Sequence, residues 1–243
     1  MVPATLSRRG GGYARGVRVL VTGATGYVGG RLVPRLLERG HQVRVLVRDE
    51  TRLAGRPWAG RVEVVRGSLE DEGARRRAPE GAGAADHRVR AVLSGKGVHE
   101  AERRQAEAFA RVGREAGLGH VVYLGGLLPK EGKPSPHLRS RAQVGEILRA
   151  NLPATEFRAG PVIGSGSASF EMVRYLTERL PVMVAPRWVL NPVSPIAVRD
   201  VLAYLVLALE RGPSDVVEIG AEPLSFKAMM ETFRNNPPKA FIG

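Results

Sequence analysis

Three glycines with a regular spacing are the residues of this sequence that could most directly hold a charged ligand. Gly23, Gly26 and Gly29 follow a short aliphatic run and open a stretch whose apolar residues recur at helical spacing. In such a turn the first glycine lets the chain leave the strand, the second admits a pyrophosphate close to the backbone, and the third allows close helix packing. The N–H groups at the start of the helix would face the phosphates. The pattern predicts a dinucleotide site, with a phosphate-free tight turn as the alternative.

The same turn and a later loop supply further predicted contacts to the dinucleotide. Thr25, Tyr27 and Val28 lie among the three glycines and at the start of the helix. Ser68 and Leu69 follow the third predicted strand, where the loop would pass the adenine edge. The hydroxyl of Ser68 can donate or accept a hydrogen bond there, although it could instead serve only as a helix cap.

The residues after the second predicted strand bear on which dinucleotide is bound. An acidic side chain there accepts hydrogen bonds from the ribose 2′-hydroxyl, whereas an arginine can meet a 2′-phosphate. Arg48 holds this position and Asp49 follows it. We therefore predict that NADP(H) is favoured over NAD(H), with Arg52 able to do the same work. A surface arginine on a solvated loop is the alternative.

Alternating strands and helices must position these residues. Strands are expected over 17–21, 42–47, 62–68, 120–124 and 155–158, with helices after the glycine turn and over 69–79, 99–116 and 137–150. Such alternation produces a parallel sheet with right-handed crossovers. The sequence therefore predicts an α/β Rossmann fold, a doubly wound parallel sheet, over residues 17–160.

The pattern changes after residue 160, where glycines, serines and prolines punctuate shorter elements. Helices are expected over 170–180 and 198–210, and a last strand over 216–220. We expect residues 161–234 to form a small C-terminal substrate lobe, interleaved with the sheet and closing over the carboxyl ends of the strands. Residues 1–16 are expected to be a flexible leader and 235–243 a tail.

The segment that should supply the fourth strand, residues 81–97, fits poorly. A central strand covered on both faces should be nearly all apolar, yet this one carries four charged or titratable residues, Asp86, His87, Arg88 and Arg90. Burying such groups unpaired would cost several kcal/mol each. The strand is therefore short and late, locally non-native, or altered by a reading-frame slip. We expect residues 86–91 and the tail after Met230 to be poorly ordered or strained, and the chain to be less stable than its relatives.

Composition narrows the possible partners. The net charge is +13, but the basic residues are mainly arginines spread along the chain, which indicates a coding bias more than a nucleic-acid surface. The sequence has no cysteine, so disulfides and thiolate metal sites are excluded, and we expect no metal. It has no apolar run of about 18 residues, so we expect no membrane span. Because the arginines are spread along the chain, we expect no specific nucleic-acid partner. We also expect a cytoplasmic location.

Three motifs resemble those of the extended and atypical short-chain dehydrogenase/reductase superfamily. They are the residues 19–29, 46–49 and 122–126. The branch with the strongest resemblance is the NmrA-like NAD(P)-binding proteins, which include the Rossmann accessory subunit of respiratory complex I. The resemblance covers residues 17–233 and implies a Rossmann fold that binds NAD(P). Residues 136–142 and 163–171 resemble a bacterial subgroup that usually carries a further C-terminal domain.

The resemblance also points to a catalytic position, where this sequence departs from the family. Active members use a serine after the fifth strand and a Tyr-x-x-x-Lys motif on the next helix. Here the serine position is Gly125 or Gly126, the tyrosine position is His137 and the lysine position is Arg141. The spacing of four keeps both side chains on one helix face. The resemblance thus implies Gly125 and Arg141 as cofactor contacts, and His137 and Arg141 as catalytic candidates.

Two functional classes remain open at this point. Histidine can shuttle protons near neutral pH, and arginine can anchor a ribose or phosphate. The first class is therefore an NADP(H)-dependent oxidoreductase or epimerase-like protein acting on an unknown small-molecule substrate. The second is a non-catalytic NADP(H)-binding redox sensor or scaffold, in which His137 is only a helix-start histidine. The sequence indicates neither the substrate nor the oligomeric state.

Overall fold

A computed structural model describes residues 16–87, 97–179 and 191–235. Its strands are β1 (Arg18–Thr22), β2 (Gln42–Val47), β3 (Glu63–Arg66), β4 (Ala84–His87), β5 (His120–Gly126), β6 (Ala154–Ala159), β7 (Val162–Ile163), β8 (Pro192–Val193), β9 (Ile196–Ala197), β10 (Val216–Ile219) and β11 (Leu224–Ser225). The helices are α1 (Tyr27–Glu38), α2 (Glu72–Arg77), α3 (Val98–Glu115), α4 (Pro136–Asn151), α5 (Ala168–Arg179), α6 (Val198–Arg211) and α7 (Phe226–Asn235). Two short 3₁₀ helices, Glu50–Leu53 and Ala59–Arg61, connect β2 to β3.

The main sheet has seven strands in the order β10-β6-β5-β4-β1-β2-β3. The β1 strand pairs in parallel with β2 and β4, and the pairs β2–β3 and β4–β5 are parallel too. From β3 to β6 this is the strand order of a doubly wound dinucleotide-binding sheet, with the order reversing between β1 and β4. The predicted fold class is confirmed.

Local capping explains where two of the helices begin. The Asp71 carboxylate accepts the N–H of Ala74 at 3.2 Å, so α2 starts later than the sequence predicted. The Ser135 hydroxyl accepts the N–H of Leu138 at 3.3 Å, and Pro136 occupies the first turn of α4. Helix α4 therefore starts within one residue of its predicted position, and it carries the predicted catalytic pair.

The fourth strand corrects the sequence prediction. The β4 strand starts at Ala84, earlier than expected, and both Asp86 and His87 are fully buried within it. The prediction that these two residues are poorly ordered is wrong, because Asp86 pairs in parallel with both β1 and β5 and His87 pairs with β5. The imidazole of His87 packs on Phe109, with ring centroids 4.2 Å apart, and so behaves as an aromatic core residue. Residues 88–91 of the same prediction lie outside the described residues.

We predict that two buried histidines make the protein sensitive to acid. Burial lowers the pKa of His87 to about 3 and that of His120 to about 4. Below pH 6.5 the unfolded chain takes up these protons while the folded chain does not, so stability falls as the pH drops. The limiting slope is about 1.4 kcal/mol per pH unit for each histidine. The melting temperature should therefore fall less steeply between pH 7 and pH 4 for His87→Leu than for the parent. Equal slopes of melting temperature against pH in the two proteins would contradict this.

A buried arginine joins the second and third strands to α2. The Arg44 guanidinium donates to the backbone carbonyls of Arg77, Ala78 and Glu80, at 3.1, 3.0 and 2.6 Å. It also pairs with Glu63 at 2.9 Å, and this hydrogen bond lowers the pKa of the Glu63 carboxyl. One side chain thus donates to three carbonyls at and just beyond the end of α2, including that of its C-cap residue Ala78.

We therefore expect Arg44→Met to be strongly destabilising. The change leaves the buried Ala78 carbonyl without its Arg44 donor and leaves Glu63 with only its longer ion pair to Arg18 at 3.7 Å, which should lower the free energy of unfolding by about 2 kcal/mol. Urea unfolding measures this directly. Arg61→Met is the matched control, because Arg61 is exposed and should change the stability by less than about 0.5 kcal/mol.

The chain divides into two compact units. The first comprises the described residues up to Arg158 together with Leu202–Val217, and the second comprises those of Ala159–Val201 and those from Glu218 onward. In the second unit β7 pairs with β9, β8 pairs with β11, and α5 packs against α7. The domain boundaries at residues 160 and 234 stay a prediction.

The predicted poorly ordered tail is wrong over its described part. Helix α7 runs to Asn235, and the Ser225 hydroxyl caps it by accepting the N–H of Ala228 at 3.0 Å. Phe226 and Met230 of this helix are buried, whereas the described side chains after Met230, those of Glu231, Thr232 and Arg234, are exposed. Residues 236–243 lie outside the described residues. Within the described ranges, no helix is both long and apolar enough to cross a membrane.

Candidate functional site

The glycine turn between β1 and α1 has the geometry that the sequence predicted. Gly23 has a φ of +73°, in the left-handed region that favours glycine, and its carbonyl accepts the N–H of Gly26 at 2.9 Å. A Cβ atom on Gly29 would lie only 2.3 Å from the carbonyl oxygen of Gly23, so any side chain there collides with backbone. No side chain caps the start of α1, and its first turn contains no acidic residue. The helix therefore offers N–H groups and a positive dipole end to an anion.

Two residues that the sequence analysis missed hold this turn from the side. The Arg56 guanidinium donates to the carbonyl of Thr25 at 3.1 Å, and the indole N–H of Trp58 donates to the carbonyl of Gly30 at 3.2 Å. The Arg56 guanidinium carbon lies 5.7 Å from the Trp58 ring centroid. Neither residue belongs to a recognisable motif, so only the fold reveals their contacts.

A cleft opens at the carboxyl ends of β1, β2 and β3, with Leu46 and Val47 on its floor. Six of the predicted contact residues line it, namely Gly23, Thr25, Arg48, Asp49, Ser68 and Leu69. Four further residues line the cleft although the sequence did not predict them as cofactor contacts: Thr22, Gly67, Glu70 and Gln105. Arg52, which the sequence suggested as a substitute for Arg48, lies in the same lining. The other predicted contacts of the turn, Gly26, Tyr27, Val28 and Gly29, cap or form the first turn of α1 beside it.

The two residues that bear on cofactor preference, Arg48 and Asp49, differ in their hydrogen bonding. The Asp49 carboxylate accepts the N–H and the hydroxyl of Thr51, at 3.0 and 2.7 Å. These hydrogen bonds, with smaller effects from Arg52 and Arg66, hold the pKa of Asp49 below its usual range. The Arg48 side chain is exposed and has no hydrogen bond or ion pair with any residue that the structure describes. Asp49 thus caps the turn through its Oδ1 oxygen, and Arg48 is available to a ligand.

Ser68 has a local partner as well as a place in the cleft. Its hydroxyl oxygen accepts the N–H of Glu70 at 3.2 Å, and Glu70 in turn accepts a hydrogen bond from Gln105 at 2.9 Å. The alternative interpretation of Ser68 as a helix cap is wrong, because Asp71 caps α2 and Ser68 instead closes a turn before the helix. Its hydroxyl proton can still be donated to a bound ligand.

The predicted catalytic residues form a second group, apart from the residues that line the cleft. His137 is exposed in the first turn of α4, and Arg141 follows one turn later, half-buried. The hydroxyl of Tyr123 donates to the carbonyl of Arg141 at 3.2 Å, which ties α4 to β5. Burial, and next the charge of Arg141, lower the pKa of His137. Their functional role stays a prediction.

The glycines at the end of β5 are closely surrounded. A Cβ on Gly126 would lie 2.6 Å from Leu138 Cδ2 and 3.9 Å from Arg141 Cδ. A Cβ on Gly125 would meet the Tyr123 ring at 3.3 Å. A serine at Gly126 would therefore have to displace the Leu138 side chain, and one at Gly125 would press on the Tyr123 ring. The space that the family's serine side chain would need is therefore filled here by the side chains of Leu138 and Tyr123.

A glycine turn that opens a helix after the first strand of a doubly wound sheet defines a Rossmann dinucleotide-binding protein. Residues 23–158 match the sequence profile of a family described as NAD(P)H-binding. The chain belongs to this NAD(P)H-binding family.

Several known proteins are similar to parts of the chain or to its fold. The 3β-hydroxysteroid dehydrogenase/Δ5→4-isomerase of Mycobacterium tuberculosis is 32% identical over 116 residues, which are 44% of this chain and 30% of that protein's length. The crystal structure of the Bordetella bronchiseptica enzyme WbmG in complex with NAD superposes with a TM-score of 0.74 at 18% identity, covering 98% of this chain and 81% of that one. The UDP-glucose 4-epimerase of Thermus thermophilus, complexed with NAD, gives a TM-score of 0.69 at 23% identity, covering 92% and 84%.

These similarities confirm the resemblance to the short-chain dehydrogenase/reductase superfamily. At identities under 25% the solved structures establish the fold and not the substrate. Membership of the NmrA-like branch, and the relationship to the complex I subunit, stay predictions.

Proposed function

We propose that the protein binds NADP(H) in preference to NAD(H). The observation that carries this proposal is the position of Arg48 in the cleft at the end of β2. Arg48 lies in the cleft without a partner in the described part of the chain, whereas the Asp49 carboxylate is engaged by Thr51. An unpaired guanidinium suits a 2′-phosphate. Thr51 engages only the Oδ1 oxygen of Asp49, so the proposed preference depends on Arg48 and not on Asp49.

The surrounding charge supports the same preference. Arg52 lines the cleft, and the charges of Arg52 and Arg66 both act on Asp49. A dianionic 2′-phosphate would be attracted by this group of arginines, and the N–H groups at the start of α1 would meet the pyrophosphate. WbmG and the Thermus epimerase are described with NAD, so only residues of this chain favour NADP(H).

Competition between two fragments of the cofactor tests the adenosine half of this site. Adenosine 2′,5′-bisphosphate and AMP differ only in the 2′-phosphate, so each is used to displace NADPH in a fluorescence titration. We expect the bisphosphate to compete at least about tenfold more effectively, since one charge-assisted hydrogen bond contributes about 1.5–3 kcal/mol. Equal competition by the two fragments would contradict the proposal.

We further propose that the protein is an oxidoreductase or epimerase-like enzyme with a modified catalytic pair, acting on a small carbonyl or alcohol substrate. The cofactor would supply or accept the hydride. His137 would exchange the proton at the substrate oxygen, and Arg141 would hold the ribose or an anionic part of the ligand. The support for this is the position of both residues on one face of α4, beside the carboxyl end of β5.

The absence of the family's serine, tyrosine and lysine keeps a second function open, that of a non-catalytic NADP(H)-binding sensor or scaffold. NADPH oxidation measured against a broad set of aldehydes and ketones separates the two. Turnover that is lost in His137→Ala supports the enzyme, and NADPH binding without any turnover supports the sensor. We propose a cytoplasmic location for either.

A further inference from the structure

A buried carboxylate lies between α3 and α4, next to the proposed catalytic pair. The side chain of Glu102 is 6% exposed, and the Ser140 hydroxyl donates a hydrogen bond to it. The imidazole Nδ1 of His99 lies 4.0 Å from the same carboxylate oxygen. Among the described residues, no arginine or lysine pairs with Glu102. A carboxylate is seldom fully buried without a cationic partner, because its desolvation is costly.

A second buried carboxylate shows what purely structural pairing looks like in this fold. Glu156 on β6 is 1% exposed, and it accepts hydrogen bonds from Arg149 and Arg158 at 3.0 and 2.9 Å. Its charge is therefore neutralised on two sides. Glu102 has a neutral hydroxyl and a titratable imidazole in place of these two guanidinium groups.

The helical spacing connects Glu102 to the proposed catalytic residues. His137, Ser140 and Arg141 occupy positions i, i+3 and i+4 of α4 and so share one face. The hydrogen bond from Ser140 to Glu102 fixes this face against α3. The charge of Glu102 acts on His137 and raises its pKa, in opposition to burial, Arg141 and His99, which lower it.

We propose that Glu102 is a positioning residue for His137. The Glu102 carboxylate holds the start of α4 through Ser140, and its negative charge lets His137 carry a proton beside Arg141. The proposal rests on the catalytic role proposed above for His137. Glu102 lies on a different helix, 35 positions before His137 in the chain, and so is outside the Tyr-x-x-x-Lys motif.

The proton balance of a carbonyl reduction shows what Glu102 would contribute. NADPH would supply the hydride to the carbonyl carbon and be left as NADP⁺. The C=O π pair would move to oxygen, and this oxygen would take the N–H proton of the His137 imidazolium. His137 is left neutral and regains its proton from solvent, to which it is exposed. The negative charge of Glu102 would stabilise the protonated form of His137 between turnovers.

The groups that act on His137 come from two helices, and one strand contributes to their placement. Helix α3 supplies His99 and Glu102, and α4 supplies Arg141. On β5, Tyr123 donates its hydroxyl proton to the Arg141 carbonyl, and burial raises the pKa of Tyr123, so it stays neutral. Glu102 is the anionic group among those that act on His137 in the described part of the chain.

Proton NMR titration of the His137 ring tests this proposal without any substrate. The His137 signal is assigned with His137→Asn and followed from pH 5 to pH 8 in the parent and in Glu102→Gln. We expect the midpoint of His137 to fall by about one pH unit in Glu102→Gln, because the opposing positive charge of Arg141 remains. Glu107→Gln is the matched control, since Glu107 lies on α3 but is exposed and pairs with Arg103, and it should leave the midpoint unchanged.

An unchanged His137 midpoint in a folded Glu102→Gln protein would overturn the proposal. If that variant does not fold, Ser140→Ala and Glu102→Asp take its place, because each loosens the contact and keeps the charge. A shifted midpoint in either supports the proposal, and the parent midpoint in both overturns it. NADPH binding is measured on the same samples. A parent that does not bind NADPH would refute the proposed function, while the titration still decides the role of Glu102.

Discussion

Gly26→Val is expected to abolish detectable NADPH binding in a protein that still folds. Gly26 has a φ of −81° and a ψ of 175°, an extended conformation that valine adopts readily. A Cβ atom there would lie 3.2 Å from the Gly23 carbonyl oxygen, which is tight but can be accommodated by a small shift. The valine methyl groups would then fill the space beside the N–H groups at the start of α1, where the pyrophosphate is expected.

The expected loss for Gly26→Val is at least about a hundredfold in Kd, since two charge-assisted hydrogen bonds of about 1.5–3 kcal/mol each would be prevented. Isothermal titration with NADPH measures it. Gly60→Val is the matched control, because Gly60 has open space around its Cβ position and no positive φ. Unchanged NADPH affinity in a folded Gly26→Val protein would refute the assignment of the turn as the pyrophosphate site.

Arg48→Glu is expected to reverse the cofactor preference. The change removes a cation that has no other partner in the described part of the chain and places a carboxylate at the end of β2. That carboxylate would repel a 2′-phosphate and accept hydrogen bonds from a 2′-hydroxyl. Affinity for NADPH should fall by roughly tenfold to a hundredfold, corresponding to about 1.5–3 kcal/mol for the lost contact, while affinity for NADH stays constant or improves.

The control for Arg48→Glu is Arg61→Glu, which makes the same change of charge in the same connection but outside the cleft. It separates a local contact with the 2′-phosphate from a general weakening of the positive field. An equal loss of NADPH affinity in both variants, or an equal loss for NADPH and NADH in Arg48→Glu, would show that Arg48 does not contact the 2′-phosphate.

The sequence predicted those strands, turns and helices whose formation depends on residues close together in the chain. The glycine spacing, the first three strands and α4 follow from turn geometry and periodicity within about 15 residues, and all lie close to their predicted positions. The β4 strand could not be predicted in this way. His87 is tolerated in the core because Phe109, on another element, packs against its neutral ring, and the sequence does not reveal that partner.

The same limit applies to the candidate site. The positions of Arg48 and His137 follow from the strand and helix that carry them. The contacts of Arg56 with Thr25, and of Ser140 with Glu102, join residues 31 and 38 positions apart. Such pairings depend on how the loops and helices pack, and neither has a spacing that a motif could encode.

The central claim is that the cleft at the ends of β1, β2 and β3 binds NADP(H) in preference to NAD(H). The most direct test is a pair of titrations of the parent protein with NADPH and NADH at one fixed ionic strength. We predict that NADPH binds with a Kd at least about tenfold lower than that of NADH. Equal affinities, tighter binding of NADH, or no binding of either would contradict the claim.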